Sequence, residues 1–285
     1  MKIKSVAVVT GASQGIGQAT ALRLARDFSV IVLTARQESE LEKTASAVKL
    51  AGAEPLVYAL DLREPSSAEM VVKGTLERFG RIDALLNIAG AVPQIDLFEM
   101  TDAQWEDGIA LKLHGARRLT IRAWDALKAS NGSVVLISGS AALDPKPAFA
   151  AVAAVNAAII ALAKAFAEQG IKDGVQVNSV VPGAVMTGRR QSFFAKWAPA
   201  HNMSVEEAIK KFPEEAGISR FGKPEEIADL MAYLVSPAAK WMTGSCVRMD
   251  GGEVKGIWRL CENSVLEGHG FRRPVGDTVI PGFSR

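Results

Sequence analysis

The sequence predicts an α/β fold in which a doubly wound, seven-stranded parallel sheet carries helices on both faces. Short apolar runs rich in β-branched residues alternate with longer segments of helical periodicity, which is the pattern of strands joined by crossover helices. No Pro/Ser-rich linker, internal repeat or low-complexity run interrupts this alternation. We therefore expect one domain over residues 1–252, followed by a C-terminal extension over residues 253–285.

The predicted elements follow one another in regular order. The strands cover residues 6–9, 30–33, 56–59, 84–88, 134–137, 175–181 and 246–249, and the helices cover residues 18–26, 38–50, 68–79, 103–127, 150–168 and 225–235. Three residues have the spacing of a capping box, with Glu or Gln three positions later: Ser66, Thr101 and Ser204. Pro224 suits a first helical turn, and Gly80 and Gly170 are expected to end two helices.

A long insertion, residues 184–218, separates the sixth strand from the last helix. Insertions of this length commonly cover a binding site, so we expect a substrate lid here. Its basic and aromatic residues either line a substrate pocket or pack the lid itself: Arg189, Arg190, Gln191, Phe193, Phe194 and Trp197.

The bulk composition excludes several classes of function. The chain has 285 residues and a net charge of +2, with basic residues spread along it, so it has no electrostatic footprint for nucleic acid or an anionic membrane. Its two cysteines, Cys246 and Cys261, form no Cys-x-x-Cys pair and indicate neither a disulfide framework nor a metal site. The apolar stretch 148–163 is interrupted by Asn156 and short for a membrane span. We expect a cytoplasmic protein.

A glycine-rich run at residues 10–17 joins the first predicted strand to the first helix. Its spacing, Gly-x-x-x-Gly-x-Gly, leaves bare backbone at the helix N-terminus, where N–H groups and the helix dipole can receive a pyrophosphate. This arrangement predicts a Rossmann-type dinucleotide site, although a tight glycine turn without a ligand is an alternative.

The same run also fits the nucleophile elbow of serine hydrolases. Residues 11–15 match Gly-x-Ser-x-Gly, which would make Ser13 a nucleophile. That fold needs several strands before the elbow and a histidine after an acid, whereas one strand precedes Ser13 here. The chain's histidines lack supporting context: His114, His201 and His269.

Three further motifs follow predicted strands, at the carboxyl edge where open α/β sheets bind ligands. They are Asp61-Leu62, Asn87-Ile88-Ala89-Gly90, and Pro182-Gly183 with Thr187. Arg220-Phe221-Gly222-x-Pro224-Glu225-Glu226-Ile227-Ala228 and Asp250-Gly251-Gly252 complete a set that runs in order through residues 5–252. With these motifs, the sequence resembles the classical short-chain dehydrogenase/reductase family.

The resemblance implies a nicotinamide cofactor. Gly11, Gly15 and Gly17 would surround its pyrophosphate, Asp61 and Leu62 would meet the adenine, residues 87–90 would flank the adenosine ribose, and Thr187 would reach the carboxamide. The full expected set is Gly11, Ser13, Gln14, Gly15, Ile16, Gly17, Arg36, Asp61, Leu62, Asn87, Ala89, Gly90, Asn156, Pro182, Gly183 and Thr187. Each position taken singly also fits ordinary turn chemistry.

The tip of the second strand indicates which form of the cofactor is bound. No acid stands there to accept from a ribose 2′-hydroxyl, whereas Arg36 can pair with a 2′-phosphate. We therefore expect NADP(H) rather than NAD(H). The alternative is a solvated Arg36, and Gln14 adds no positive charge to the loop.

The family's catalytic residues are missing from their expected positions. The resemblance implies a Tyr as general acid/base, a Lys four residues later, a Ser that orients the substrate and an Asn that anchors a water relay. These positions hold Val152, Asn156, Gly139 and Lys112. The chain's two tyrosines, Tyr58 and Tyr233, lie far away in sequence. Ordinary hydride transfer to a carbonyl should therefore be weak or absent.

Lys and Asn have exchanged places in this set, since Lys112 stands at the Asn position and Asn156 at the Lys position. One hypothesis is that the Lys112 ammonium approaches the ribose or the substrate from the opposite wall, with Ser138 or Ser140 orienting a ligand. The alternative is drift at an unused site, with Lys112 reaching solvent.

Three functions remain open. The chain is an oxidoreductase in which substrate, water or Lys112 supplies the proton, or a non-catalytic cofactor-binding subunit or sensor, or an isomerase or cyclase that uses the cofactor as structure. A small-molecule ligand is expected in each case. The alanine-rich predicted helix 150–168 and its predecessor 103–127 are expected to join a homodimer or homotetramer, although the same pattern fits a core helix.

Overall fold

The computed structural model describes residues 5–256, and their architecture begins with seven strands. These are β1 (Val6–Thr10), β2 (Val30–Ala35), β3 (Glu54–Ala59), β4 (Ala84–Asn87), β5 (Ser133–Ile137), β6 (Gln176–Pro182) and β7 (Cys246–Met249). They form one parallel sheet in the order β3-β2-β1-β4-β5-β6-β7. The predicted fold class is confirmed. The predicted C-terminal extension lies largely outside the described residues, as do Cys261 and His269.

The described helices connect successive strands. They are α1 (Gly15–Leu24), α2 (Glu38–Leu50), α3 (Pro65–Phe79), α4 (Asp102–Gly108), α5 (Ala116–Ser130), α6 (Ala150–Asp173), α7 (Gly188–Ala200), α8 (Val205–Glu215) and α9 (Pro224–Leu234). Helices α1, α2 and α9 cover one face of the sheet, and α3, α5 and α6 cover the other. In β1, Ala7 and Val9 join the first apolar layer while Val6 and Val8 join the second, because successive strand residues point to opposite faces.

Two of the residues predicted to start or end a helix, Ser66 and Gly170, do not do so. Helix α3 starts at Pro65, so Ser66 lies inside the helix and forms no cap; the fixed φ of proline favours this earlier start. Helix α6 continues through Gly170 and ends at Gly174, which has a left-handed conformation. A Cβ on Gly170 would collide with the carbonyl oxygen of Val175, so Gly170 serves close packing rather than termination. The capping boxes at Thr101 and Ser204 are confirmed.

The predicted helix 103–127 is not a regular α-helix. A π-helical segment, Ile109–Gly115, separates α4 from α5. Glycines at its two boundaries admit close neighbours, because a Cβ on Gly108 would lie 3.0 Å from Val92 Cγ1 and a Cβ on Gly115 would lie 3.1 Å from the Leu62 carbonyl oxygen. Such π segments are rare and often occur at functional sites. Lys112 lies at the middle of this one.

The insertion at residues 184–218 contains helices α7 and α8, of which the sequence indicated only the start of α8, through the capping box at Ser204. Phe194 and Ala198 of α7 pack against Ala208 of α8 in a small apolar cluster of their own. A β-bridge between Val185 and Gly222 joins the two ends of the insertion. The insertion is therefore a folded helical pair.

One helical stretch of the described residues, Pro147–Asp173, is long and apolar enough to cross a membrane by length and composition. It extends well past the apolar stretch that the sequence analysis judged too short. Ile159, Ala163 and Ala167 of this stretch are buried in the layer that covers the sheet. One face of this helix therefore packs in the core of the fold.

Candidate functional site

The candidate site lies where the winding of the sheet reverses, between the neighbouring strands β1 and β4. Open α/β sheets bind ligands in this crevice, beyond the carboxyl ends of the strands. The glycine loop follows β1, the 87–90 motif ends β4, and Ser138 follows β5. The topology thus gathers most of the predicted site residues at one edge.

The glycine loop is shaped by close approaches that only bare backbone allows. Gly11 has a φ of +67°, and a Cβ there would lie 3.0 Å from Ala89 Cα. A Cβ on Gly17 would overlap the carbonyl oxygen of Gly11 and lie 2.6 Å from its carbonyl carbon. Gly15 has a φ of +56°, the left-handed conformation that favours glycine, and lies next to the Thr187 methyl group. The three glycines therefore hold the loop against β4 and α7.

The N-terminus of α1 is open to an anion. The residue before it, Gln14, is extended and makes no side-chain cap, and the first turn contains no acid. The free N–H groups of an uncapped first turn attract negative charge. This donor set, beside a glycine cradle, fits a dinucleotide pyrophosphate.

Thr10 organises the neighbouring strand and was missed by the sequence analysis. Its buried hydroxyl accepts hydrogen bonds from the backbone N–H groups of Ile88 and Ala89 at 2.8 and 2.9 Å. These bonds fix the start of the 88–90 loop beside Gly11. A threonine immediately before the glycine run was the only signal in the sequence.

Asn87 has one satisfied and one unsatisfied polar atom. Its Nδ2 donates to Thr120 Oγ1 at 3.1 Å, while its Oδ1 is buried without a partner among the described residues. An orphaned buried acceptor indicates a missing donor. A ligand hydroxyl or amide at this point would supply it, which fits the predicted cofactor site.

Charged residues alternate beyond the tips of β2 and β3. Arg36 lies 4.0 Å from the Asp61 carboxylate, which also accepts from Arg63 at 3.2 Å. Arg63 in turn forms a two-bond ion pair with Asp107, and the bond from Arg63 holds the pKa of Asp107 below its usual range. Arg36 remains largely exposed and is therefore the cation in this row with most freedom to meet a phosphate.

The remaining predicted cofactor residues differ in their packing and exposure. A Cβ on Gly183 would lie 2.7 Å from Asp250 Cα, and the Gly183 N–H donates to the Met249 carbonyl, so Pro182-Gly183 packs against the end of β7. Thr187 caps α7 by accepting from the Arg190 N–H at 3.3 Å. Leu62 is buried, Ile16 packs on the core, and Gln14 is exposed.

Three of the four altered catalytic positions lie together, namely Lys112, Asn156 and Gly139. The Lys112 ammonium donates to the Ser138 carbonyl oxygen at 3.1 Å and to Asn156 Oδ1 at 2.5 Å. Ser138 Oγ donates to the Asn156 carbonyl oxygen at 2.8 Å, so this hydroxyl is already engaged. The structure brings the exchanged Lys and Asn into direct contact. Lys112 is half-buried and does not extend into solvent, contrary to the drift alternative.

Two glycines make room for this pair. A Cβ on Gly90 would lie 3.0 Å from Lys112 Cδ, and a Cβ on Gly139 would lie 2.9 Å from Asn156 Nδ2. The serine that the family places at position 139 would therefore press on the Asn156 amide. Lys112, Asn156, Gly90 and Gly139 fit one another as a set.

Burial lowers the pKa of Lys112 to about 7, and the charge of Arg189 adds to this effect. In the unfolded chain the pKa stays near 10.5, so between about pH 7 and pH 10.5 the unfolded state binds more protons at this site. The free energy of unfolding should therefore rise with pH through that window. Below about pH 7, where Lys112 is charged in both states, the full cost of burying its charge should be present.

Lys112→Met tests this linkage. We expect the free energy of unfolding of this variant, measured with urea, to exceed that of the wild-type protein by a margin that is constant in mild acid and shrinks as the pH rises above neutrality. Lys196→Met, at an exposed position of α7, is the control and should show no such trend. A margin independent of pH would contradict the lowered pKa.

No described tyrosine approaches this cluster. Val152 lies half-buried in the first turn of α6. Tyr58 belongs to β3, where burial raises the pKa of its hydroxyl beside Thr75, and Tyr233 lies exposed on α9. Ser140 begins a short 3₁₀ turn, and its hydroxyl makes no hydrogen bond among the described residues.

The hydrolase alternative finds no support in the geometry. Within residues 5–256, no hydrogen bond joins Ser13 to a histidine. His201 stacks on Trp197 with ring centroids 4.0 Å apart, and the Nδ1 of His114 is buried without a partner. One strand precedes Ser13, as the sequence indicated.

Comparison with known proteins agrees with this geometry. A family model described as enoyl-(acyl carrier protein) reductase matches residues 11–253. The 3-oxoacyl-(acyl-carrier-protein) reductase of Synechocystis sp. is 31% identical over 252 residues, which is 87% of this chain and 96% of that protein.

Two solved structures extend the comparison. L-sorbose reductase from Gluconobacter frateurii, complexed with NADPH and L-sorbose, superposes with a TM-score of 0.85 at 29% identity, over 90% of this chain and 100% of that one. Actinorhodin polyketide ketoreductase with NADPH gives a TM-score of 0.84 at 29% identity, over 89% of this chain and 98% of that one.

Proposed function

The chain belongs to the short-chain dehydrogenase/reductase family, and on that premise we propose that it binds NADP(H) but catalyses ordinary ketone or alcohol redox weakly or not at all. The observation that carries this proposal is that Val152, which has no titratable group, occupies the position where the family has its proton-donating tyrosine. Relatives such as the Synechocystis protein are named as reductases. We propose that this chain differs from such reductases in its chemistry and binds the cofactor seen in the structures of L-sorbose reductase and actinorhodin polyketide ketoreductase, NADPH.

Cofactor binding is supported by the chain's own groups. Gly11, Gly15 and Gly17 would cradle the pyrophosphate, the uncapped N-terminus of α1 would bind its charge, and the free Asn87 Oδ1 would accept from a ribose hydroxyl or amide. Bound NADPH supplies a hydride. What the chain lacks is a group at position 152 to deliver the matching proton.

Arg36→Ser tests the preference for NADP(H). Removing one charge-assisted contact to a 2′-phosphate costs about 1.5–3 kcal/mol, so we expect NADPH affinity to fall about 10- to 100-fold. NADH affinity should not change. Fluorescence titration measures both, and Arg26→Ser, at an exposed position beyond α1, is the matched control. An equal loss for both cofactors would rule out 2′-phosphate recognition.

The decisive experiment on the wild-type protein is a fluorescence titration with NADPH and NADH, followed by a panel of neutral ketones in the same cuvette. Tight NADPH binding without NADPH oxidation is the expected result. No binding of either cofactor would overturn the cofactor assignment. Robust ketone reduction would overturn the proposal that the four altered catalytic positions leave ordinary redox chemistry weak or absent.

A non-catalytic cofactor-binding subunit or sensor is the second candidate function. Val152 favours it, because the group that would donate the proton is absent rather than displaced. An isomerase or cyclase would be distinguished from both by conversion of substrate without net NADPH oxidation. Membership in this family removes the serine hydrolase from consideration.

We also propose that the protein is a cytoplasmic homodimer or homotetramer, since family members commonly oligomerise. Small residues on α6 form an exposed row in the described chain: Ala154, Ala157, Ala161 and Ala165. Ala157→Arg should lower the mass measured by analytical ultracentrifugation, because it places a charge in the predicted contact. Leu50→Arg, exposed on α2, should not. Equal masses for Ala157→Arg and wild type would exclude this contact.

A further inference from the structure

We infer that Lys112 and Arg189 form a subsite for an oxyanion, a carboxylate or phosphate group on a carbonyl substrate. The inference rests on the proposed function, because it assigns a substrate class to the same cleft. It differs from that function in giving the altered catalytic positions a binding task.

The two cations are held together at one residue. Arg189, on α7, donates from Nη2 to the Gly90 carbonyl oxygen at 2.6 Å. The Lys112 stem lies against the same glycine, with Cδ 3.0 Å from where a Cβ would stand. Burial lowers the pKa of Lys112, and the positive charge of Arg189 lowers it further, as expected for two neighbouring like charges.

Neither cation has an acidic partner among the described residues. Lys112 donates to a backbone carbonyl and an amide oxygen, and Arg189 donates to a backbone carbonyl. Other arginines near the crevice are matched: Arg63 pairs with Asp107, and Arg190 lies over the Phe193 and Phe212 rings and is influenced by Glu253. Two neighbouring unmatched cations repel, and an anion placed between them would remove that cost.

The unused hydrogen-bonding capacity here consists of donors. An ammonium has three N–H groups, and Lys112 uses two of them within the described chain. Asn156 accepts from Lys112 through Oδ1, and its Nδ2 has no hydrogen-bond partner among residues 5–256. The Arg189 guanidinium keeps further N–H groups beyond the one bound to Gly90. Donors without acceptors suit a carboxylate or phosphate.

The topology assigns this anion to the substrate rather than to the cofactor. The groups that would hold cofactor phosphates, the α1 N-terminus and Arg36, follow β1 and β2. Lys112 is anchored to Ser138, which follows β5, two strands beyond β1 on the other side of the reversal. Arg189 reaches this point from the lid helix α7. The two halves of the crevice thus carry separate positive groups.

Isothermal titration calorimetry on the NADPH-loaded protein, with three small-molecule probes, tests this subsite. These are 3-oxobutanoate, dihydroxyacetone phosphate, and 3-oxobutanamide as the neutral isostere of the first. We expect one of the two anions to bind about tenfold or more tightly than the amide, since hydrogen bonds to charged groups have this strength. The better anion distinguishes a carboxylate from a phosphate ligand.

Variants locate the effect. Lys112→Met and Arg189→Met should each weaken binding of the preferred anion about tenfold and leave binding of the amide unchanged. Lys196→Met, an exposed cation on the same lid helix, should have no effect. Should Lys112→Met fail to fold, Arg189→Met decides, because Arg189 is exposed and not part of the core.

Three outcomes would overturn the inference. They are equal binding of anions and amide, unchanged anion binding in both variants, and a loss of NADPH affinity in Lys112→Met that equals its loss of anion affinity. The anion titrations are repeated on cofactor-free protein. Anion binding without NADPH binding in the wild type would therefore overturn the proposed function while retaining the subsite.

Discussion

Gly17→Ala is expected to lose NADPH binding and to unfold at a lower temperature than the wild-type protein. The new methyl carbon would overlap the Gly11 carbonyl oxygen and lie 3.2 Å from the Ala12 nitrogen. All these neighbours are backbone atoms, so relief requires the loop itself to move. Overpacking of this kind costs about 1–3 kcal/mol, and the displaced loop no longer presents its N–H groups to a pyrophosphate.

Differential scanning calorimetry and NADPH fluorescence titration check both parts of this result. Gly188→Ala is the matched control, because its nearest neighbour is Gln14 Oε1 at 4.0 Å and it lies in the first turn of α7, across from the same loop. The control should bind NADPH as the wild type does. Normal NADPH affinity in Gly17→Ala would show that the loop is not the pyrophosphate site.

Restoring the four family residues together is expected to raise ketone reduction above that of the natural sequence. The variant combines Val152→Tyr, Asn156→Lys, Gly139→Ser and Lys112→Asn. A positioned general acid contributes about 10²- to 10⁴-fold, and NADPH oxidation with ethyl 3-oxobutanoate, a neutral ketone, should rise by a factor of that order. The same variant carrying Val152→Phe in place of Val152→Tyr keeps the ring and lacks the acidic hydroxyl.

The substitutions are expected to fail singly, for steric and electrostatic reasons. Gly139→Ser alone would place its Cβ 2.9 Å from Asn156 Nδ2. Asn156→Lys alone would remove the acceptor of Lys112 and add a second ammonium beside it. Asn156→Lys must therefore accompany Gly139→Ser, and Lys112→Asn must accompany Asn156→Lys. Equal turnover of the tyrosine and phenylalanine versions would show that proton donation at position 152 is not what the natural chain lacks.

The strands and the general topology could be predicted because their determinants are local. Buried parallel strands have continuous apolar runs, and the crossover rule then fixes the sheet. The π segment at Ile109–Gly115 could not be predicted, because it depends on Leu62 and Val92 approaching two glycines from distant parts of the chain. Helices α7 and α8 were absent from the predicted helices, although the capping box at Ser204 indicated where α8 begins; their apolar residues pack in a cluster of their own.

The candidate site shows the same division. The glycine spacing predicts a close-approach loop without any tertiary information, and the structure has such a loop. The contact between Lys112 and Asn156 joins residues 44 positions apart, so the sequence could indicate an exchange of residue types but not a hydrogen bond. From the sequence, Gly139 could be interpreted only as the loss of the family's serine. Its packing against the Asn156 amide gives the bare position a physical reason.

The direction in which the Lys112 side chain points depends on the number of residues in the π segment. Each residue turns a helix by about 100°, and α5 is locked to the sheet by buried Leu119 and Leu127, so its rotation cannot adjust. Deleting one residue between Lys112 and Gly115 would convert the wide turns towards α-helical ones. The part of the helix before the deletion, which contains Lys112, would then rotate relative to α5. Lys112 would lose its contact with Asn156, while every residue of the sheet kept its place.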